Sequence, residues 1–238
     1  MPDRVADAFA AARADRGLVV LEGFHALKHA LRFGAEIVAA ATDDRAGLDR
    51  LALELAPDVA ARIGGLVRDA PLGGLVERVP HTGVVAVARR PAFDAAAVLA
   101  AHGAAPVVLL EDPRHLGNVG AVVRVAAAAG AAGVLTTGSR DPWDPAALRG
   151  SAGLHFALPV GRVAAGALGE RPLVALDPGG EPLGVLPPGA LLAFGTERHG
   201  LTPALAARAD LRVRIPMRPG VSSLNLATAV AVVLFARA

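Results

Sequence analysis

The chain lacks cysteine altogether, which excludes disulfide bonds, cysteine nucleophiles and thiolate metal sites. It also has no tyrosine, one tryptophan and seven phenylalanines among 238 residues. RNA-binding domains that stack bases on an aromatic sheet surface need more aromatic side chains than this. The composition therefore argues against such a surface, while metal sites built from histidine and carboxylate ligands stay open.

Long apolar runs are missing as well. No stretch reaches the roughly 18 uninterrupted apolar residues that a membrane-spanning helix needs. Residues 1–17 carry acids and lack the apolar core of a signal peptide. We therefore expect a cytoplasmic protein with no membrane partner. Its 53% hydrophobic content is enough to bury one large or two modest domains.

Lysine is almost absent, because Lys28 is the single lysine among 24 basic residues. The formal net charge is only +2, so the total charge is a weak indicator of a nucleic-acid partner. Arginine suits bidentate contacts with phosphate groups. The placement of individual arginines is therefore more informative than their number.

Short apolar strands alternate with helical segments in both halves of the chain. The pattern restarts with the strand PVVLLED at 106–112, which begins a second unit of about five or six strands. This alternation is typical of an α/β fold with parallel strands. We predict a small α/β domain over 1–93, a linker over 94–105 and a second α/β domain over 106–238.

A strand, a glycine-containing turn and a helix occupy residues 110–130. The spacing of Gly117 and Gly120 does not match GxGxxG, so a dinucleotide site is a poor match. Arg124 stands alone in this apolar helix, on one row with both glycines. We expect its side chain to pass over Gly120 and reach the loop. The alternative is an ordinary surface arginine.

Two further strands end in glycine and polar residues. The strand before Gly195 is followed by Thr196 and Glu197, and the strand LRVRIP is followed by PMRPGVSSLN at 216–225. Ligands gather at the carboxyl ends of parallel strands. Each stretch is also explained by local structure, and Ser222 or Ser223 is expected to cap a final helix that begins near residue 222 and holds Asn225 in its first turn.

Taken in order, these stretches resemble the three motifs of the SpoU (TrmH-like) RNA ribose 2′-O-methyltransferases, of the SPOUT class. The resemblance covers residues 105–238 and includes RGSAGLHFALPV at 149–160. The part before it resembles the L30e-like substrate-binding domain found in many members. The motif residues are Asn118-Val119-Gly120 with Arg124, Phe194-Gly195-Thr196-Glu197 with Gly200-Leu201, and Ile215-Pro216-Met217 with Ser223-Leu224-Asn225.

The resemblance implies an α/β domain with a deep trefoil knot, S-adenosylmethionine as cofactor, no metal, and a homodimer that acts on RNA. Ribosomal RNA is favoured over tRNA because the first domain resembles a ribosomal-protein module. The positions that the family uses for the cofactor are Gly195, Thr196, Ile215, Met217 and Leu224. Those associated with catalysis or RNA placement are Asn118, Arg124, Glu197, Ser223 and Asn225.

The role of the motif arginine stays open. The family comparison suggests Arg124 as a base, whereas an arginine side chain holds its proton in nearly every environment. Binding the target phosphate and stabilising a developing alkoxide is the alternative role. Methyl transfer to a ribose hydroxyl itself requires that two reactants be positioned and a proton removed.

Three other functions compete with an rRNA methyltransferase. A tRNA 2′-O-methyltransferase would share every motif, and an inactive RNA-binding relative would retain them for binding alone. A nicotinamide-dependent oxidoreductase would need GxGxxG after an early strand, which the sequence does not offer. The apolar helices near 119–130 and 222–237 favour a dimer, because their faces are too uniformly apolar for a solvated surface.

Overall fold

The computed structural model describes residues 3–196 and 200–236. The chain folds into two compact units. The first comprises Met1–Ala92 with the short segment Ala152–Ala157, and the second comprises Phe93–Ser151 with Leu158–Ala238.

The first unit contains a mixed four-stranded sheet. Strand β4 lies between β1 and β2 and is antiparallel to both, while β3 adds to β2 in parallel. The strands are β1 Leu18–Glu22, β2 Ile37–Thr42, β3 Arg68–Asp69 and β4 Val84–Arg89. The helices are α1 Asp3–Ala14, α2 Phe24–Arg32, α3 Arg45–Leu55 and α4 Ala60–Leu66, and a 3-10 turn at Leu154–Phe156 belongs to the same unit.

Helix α1 covers one face of this sheet. It buries Val5 and Phe9 against Val85 and Val87 of the central strand. Burying a phenylalanine or valine side chain stabilises the fold by about 1.5–3 kcal/mol relative to leaving it exposed. The sheet therefore has an apolar core of its own.

The second unit is built on six parallel strands in the order β10-β8-β9-β5-β6-β7. The strands are β5 Val107–Leu110, β6 Gly133–Thr136, β7 Val160–Arg162, β8 Leu173–Pro182, β9 Leu191–Phe194 and β10 Leu211–Arg214. The helices are α5 Ala95–Ala100, α6 Leu116–Ala128, α7 Pro145–Ser151, α8 Pro203–Arg208 and α9 Leu226–Phe235. The predicted α/β fold with a parallel sheet is confirmed.

The central strands explain why the sequence shows short continuous apolar runs. All four residues of β5 and all four of β9 are buried. Parallel strands covered on both faces need no polar side, so they are apolar throughout. The segment 94–105, predicted as a linker, contains α5, whose Val98 and Leu99 are buried in the core of this sheet.

Strand β8 carries a bulge of five residues. Its pairing with β10 jumps from Ala175 opposite Arg212 to Glu181 opposite Val213, which leaves residues 176–180 outside the regular ladder. The Pro- and Gly-rich stretch 178–189 therefore starts inside a strand. Its first Pro and Gly residues shape the bulge and do not end the strand.

Helices α6 and α7 pack through glycine. A Cβ on Gly120 would overlap the carbonyl oxygen of Ala147, and a Cβ on Gly150 would lie 2.7 Å from the carbonyl oxygen of Gly117. The backbones of the two helices are thus in direct contact. Among the described residues, no helix is long and apolar enough to cross a membrane.

We expect Gly120→Ala to lower the free energy of unfolding by about 1–3 kcal/mol, because the added methyl group overpacks the contact with Ala147. Gly117→Ala is the matched control in the same helix, since a Cβ there meets nothing within 4 Å. It should be neutral or stabilising by up to about 1 kcal/mol. Urea denaturation of both variants is the measurement, and equal destabilisation would contradict the packing described.

Candidate active site

The bulge of β8 and the carboxyl ends of β9 and β10 surround one cavity. Because β9 and β10 are parallel to β8, the segments that follow them emerge at the same edge of the sheet. The first turns of α9 complete the wall. The lining residues are Leu176, Asp177, Pro178, Gly195, Thr196, Gly200, Val213, Arg214, Ile215, Met217, Ser222, Ser223, Leu224, Leu226 and Ala229.

The sequence residues assigned to the cofactor come together here. All five of Gly195, Thr196, Ile215, Met217 and Leu224 line this cavity. They arrive from two segments about twenty residues apart, which meet because β9 and β10 flank β8. Ser223, predicted for catalysis or RNA placement, lines the same cavity.

Gly195 permits a close approach of two backbone segments. A Cβ at this position would overlap backbone atoms of Gly200 and Leu201. The amide of Thr196 donates to the carbonyl oxygen of Gly200, and the amide of Gly200 donates to the carbonyl oxygen of Thr196, both at 3.0 Å. The chain therefore leaves β9 and returns within a few residues. Glu197, predicted for the active site, lies outside the described residues.

A buried carboxylate holds the far end of this loop. Glu111 directly follows β5 and is 8% exposed. Its two carboxylate oxygens accept hydrogen bonds from the amide and the hydroxyl of Thr202, each at 2.7 Å. Its own amide donates to the carbonyl oxygen of Phe194 at 2.9 Å. Sequence reasoning missed Glu111, although an acid at the end of a fully apolar strand was a visible signal.

The segment that follows β10 and lines the cavity ends in a helix cap formed by Asn225. Its side-chain oxygen accepts from the amides of Ala227 at 2.9 Å and Thr228 at 3.4 Å. The helix therefore begins at Leu226, and the predictions of a start near 222 and a cap at Ser222 or Ser223 were wrong. The reason is that residues 221–225 stay non-helical, so the two serines line the cavity instead.

Asn118 and Asn225 are brought together by the packing of α6 on α9. The side-chain amide of Asn225 donates to the side-chain oxygen of Asn118 at 3.2 Å. Asn118 lies in the first turn of α6, at the end where the helix dipole favours anions. Two residues predicted from separate motifs therefore form one amide pair.

Arg124 does not join this group. Its side chain is exposed, and it has no hydrogen bond or ion pair within the described ranges. It lies six residues after Asn118, or about 9 Å further along the helix axis. The predicted passage over Gly120 was wrong, because α7 fills the space above that glycine. The structure thus leaves Arg124 outside the cavity of its own chain.

Asp177 is a cavity residue that sequence reasoning did not select. It sits in the bulge of β8, where it accepts from the amide of Gly179 and from the guanidinium of Arg212, both at 2.7 Å. These contacts, the amide first, hold the pKa of the Asp177 carboxyl below its ordinary value against the opposing effect of burial. A strand end followed by DPGG was the same signal that marked the other motifs.

The lining residues fit an S-adenosyl group in kind. Apolar side chains such as Val213 and Leu226 suit an adenine ring, while the backbone around Gly195 and the hydroxyl of Ser223 offer hydrogen-bonding groups. Among the described residues, no group of three or more histidine, aspartate or glutamate side chains could hold a metal ion.

Comparison with known proteins agrees with the motif pattern. The SpoU rRNA Methylase family matches residues 105–235. A 23S rRNA (uridine(2479)-2′-O)-methyltransferase of Streptomyces viridochromogenes is 29% identical, over 94% of this chain and 83% of its own length. A 23S rRNA (adenosine(1067)-2′-O)-methyltransferase of Streptomyces laurentii is 35% identical, over 56% of this chain and 53% of its own length.

A solved structure agrees over nearly the whole chain. The SpoU methyltransferase AviRb of Streptomyces viridochromogenes, in complex with AdoMet, superimposes with a TM-score of 0.76 at 25% identity. The match covers 97% of this chain and 95% of that one. The predicted family and fold class are confirmed, while the knot stays a prediction.

We expect Asn225→Ala to cost about 1 kcal/mol of stability, because the cap of α9 is lost. Asn225→Asp should keep the stability, since its carboxylate still accepts from the two amides, while losing the donor to Asn118. Ser223→Ala is the control and should leave the thermal midpoint unchanged. A loss of stability in Ser223→Ala that equals the loss in Asn225→Ala would contradict the assigned cap.

Proposed function

Because the chain belongs to the SpoU rRNA Methylase family, we propose that it transfers a methyl group to a ribose 2′-hydroxyl of 23S or other ribosomal RNA. It is an RNA methyltransferase, and its cofactor is S-adenosylmethionine. We place its activity in the cytoplasm, where its substrate would be. The observation that carries the proposal is the convergence of the family's cofactor positions on one cavity.

The cavity walls suit the task of holding a cofactor. S-adenosylmethionine supplies a methyl group already activated on a sulfonium. The chain's own contribution is then to position the cofactor and the RNA and to exclude water. The backbone at Gly195, Ile215 and Leu224 would fix the cofactor, and the apolar residues behind it would keep the base dry.

The Asn118–Asn225 pair would place the RNA. It lies at the first turn of α6, which favours a phosphate group, and beside Ser223 at the cavity. Binding a phosphate there would bring the neighbouring ribose to the mouth of the cavity. Arg124 is a poor acceptor for the hydroxyl proton, because an arginine side chain keeps its own proton.

Arg124 would act in the cavity of a second subunit. In its own chain it is exposed and lies outside the cavity. A guanidinium that binds phosphate and stabilises a developing alkoxide must reach the reacting groups. A second copy of the chain that packs against α6 and α9 would bring Arg124 to the partner's cavity. We therefore propose a homodimer whose site is incomplete without the partner.

Apolar side chains on α9 support the same interface. The buried faces of α6 and α9 are explained by contacts within the chain, where the two helices pack on each other. Val232 and Phe235, one helical turn apart, stay 37% and 55% exposed. These two side chains remain exposed on the helix and are available for an apolar interface.

Methylation of purified RNA pools tests the function. With a labelled methyl donor, we expect incorporation into 23S rRNA, at a single position that resists alkaline cleavage as a 2′-O-methylribose does. Incorporation into tRNA alone would favour the tRNA enzyme. Cofactor binding without transfer to any ribosomal or transfer RNA would favour an RNA-binding relative and contradict the proposal.

Mixing two inactive variants tests the shared site. Arg124→Ala should lose transfer by about a hundredfold or more while cofactor affinity is unchanged. Leu224→Arg should block the cavity, at an exposed position that tolerates the change. Co-expressed subunits should recover about a quarter of the wild-type rate, from one complete site in half of the dimers.

No recovery in the mixed dimers would mean that Arg124 serves its own chain. A monomer at micromolar concentration in sedimentation equilibrium would contradict the dimer itself. Phe235→Glu is the matched interface variant, and it should give monomers without changing the fold.

A further inference from the structure

Asp177 is the sole carboxylate among the described residues that line the cavity. We propose that it binds the two adjacent ribose hydroxyls of the cofactor's adenosine. The inference rests on the proposed function, because it assigns one part of the cofactor to one side chain. Its consequence is that the bulge of β8 belongs to the cofactor site.

The bulge is built to present this side chain. Five residues, 176–180, leave the ladder between β8 and β10, and the first three of them line the cavity. Gly180 lies so close to the backbone of Arg212 that a Cβ would collide with it. The bulge is therefore fixed against β10 at its far end.

The carboxylate is oriented before any ligand arrives. One oxygen accepts from the amide of Gly179 and the other from the guanidinium of Arg212. An ionised carboxylate offers about four acceptor sites, so about two remain. Two acceptors on one rigid group match two neighbouring hydroxyl donors. The side chain is 22% exposed, so part of it remains open to the cavity.

The charge balance favours hydroxyl groups over the cationic parts of the cofactor. Arg212 already pairs with Asp177 at 2.7 Å, so much of the negative charge is compensated within the chain. A bare carboxylate would be the better partner for a sulfonium or an ammonium group. Acidic side chains at the ends of parallel strands bind ribose hydroxyls in other nucleotide sites, by the same donor–acceptor pairing.

Isothermal titration with S-adenosylhomocysteine and its 2′-deoxy and 3′-deoxy analogues tests the assignment in the full-length protein. The wild type should bind either deoxy analogue about tenfold more weakly, because one hydrogen bond to the charged carboxylate is lost. Asp177→Asn should bind S-adenosylhomocysteine about tenfold more weakly and should no longer discriminate against the analogues.

Two control variants separate binding from local disruption. Glu181→Gln changes an exposed acid on the same strand outside the cavity, and it should behave as the wild type. Arg212→Ala removes the ion pair but keeps the carboxylate, and it should still discriminate against the deoxy analogues. Discrimination that survives in Asp177→Asn would overturn the assignment.

A loss restricted to S-adenosylmethionine, with S-adenosylhomocysteine unaffected, would also overturn the assignment, because it would identify Asp177 as a partner of the sulfonium charge. A wild type that binds neither S-adenosylmethionine nor S-adenosylhomocysteine would overturn the proposed function together with the inference. A wild type that methylates RNA while Asp177→Asn keeps full discrimination would overturn the inference alone.

Discussion

The contact on which the site depends is the close approach of Gly195 to the backbone of Gly200 and Leu201. It lets the chain turn back at the carboxyl end of β9 instead of extending away from the sheet. Thr196 and Gly200 close this turn through two backbone hydrogen bonds. Any side chain at Gly195 would push the turn outward and open the cavity. Gly195, which the resemblance assigns to the cofactor, is thus required first by backbone packing.

Two polar contacts keep the neighbouring walls in place. The Glu111 carboxylate fixes the loop at Thr202, and hydrogen bonds to a charged group contribute about 1.5–3 kcal/mol each. Asn225 caps α9 and donates to Asn118 on α6. A buried carboxylate without its partners would be costly, so Glu111 and Thr202 act as a unit. Hydrogen bonds of these polar side chains therefore hold the cavity walls in place around a largely apolar lining.

The sequence was a good guide to the strands and to the cavity residues, because parallel strands must end at one edge and short apolar runs mark them. It was a poor guide where the position of a side chain depends on the packing of two helices or on a bulge in a strand. The side chain of Arg124 was predicted in the wrong place, because the spacing of residues within α6 does not show that α7 packs on Gly120. Ser222 or Ser223 was predicted as the cap because the sequence does not show that residues 221–225 stay non-helical and that the helix begins only at Leu226. Asp177 was missed because a bulge looks like a loop.

The central claim is that the ends of β9 and β10 and the bulge of β8 form an S-adenosylmethionine site. The most direct measurement is a crystal structure of the protein with S-adenosylhomocysteine. We expect the adenosine to lie between the backbones of Gly195, Ile215 and Leu224. A ligand bound elsewhere on the second unit, or a cavity that stays empty at saturating ligand, would contradict the claim.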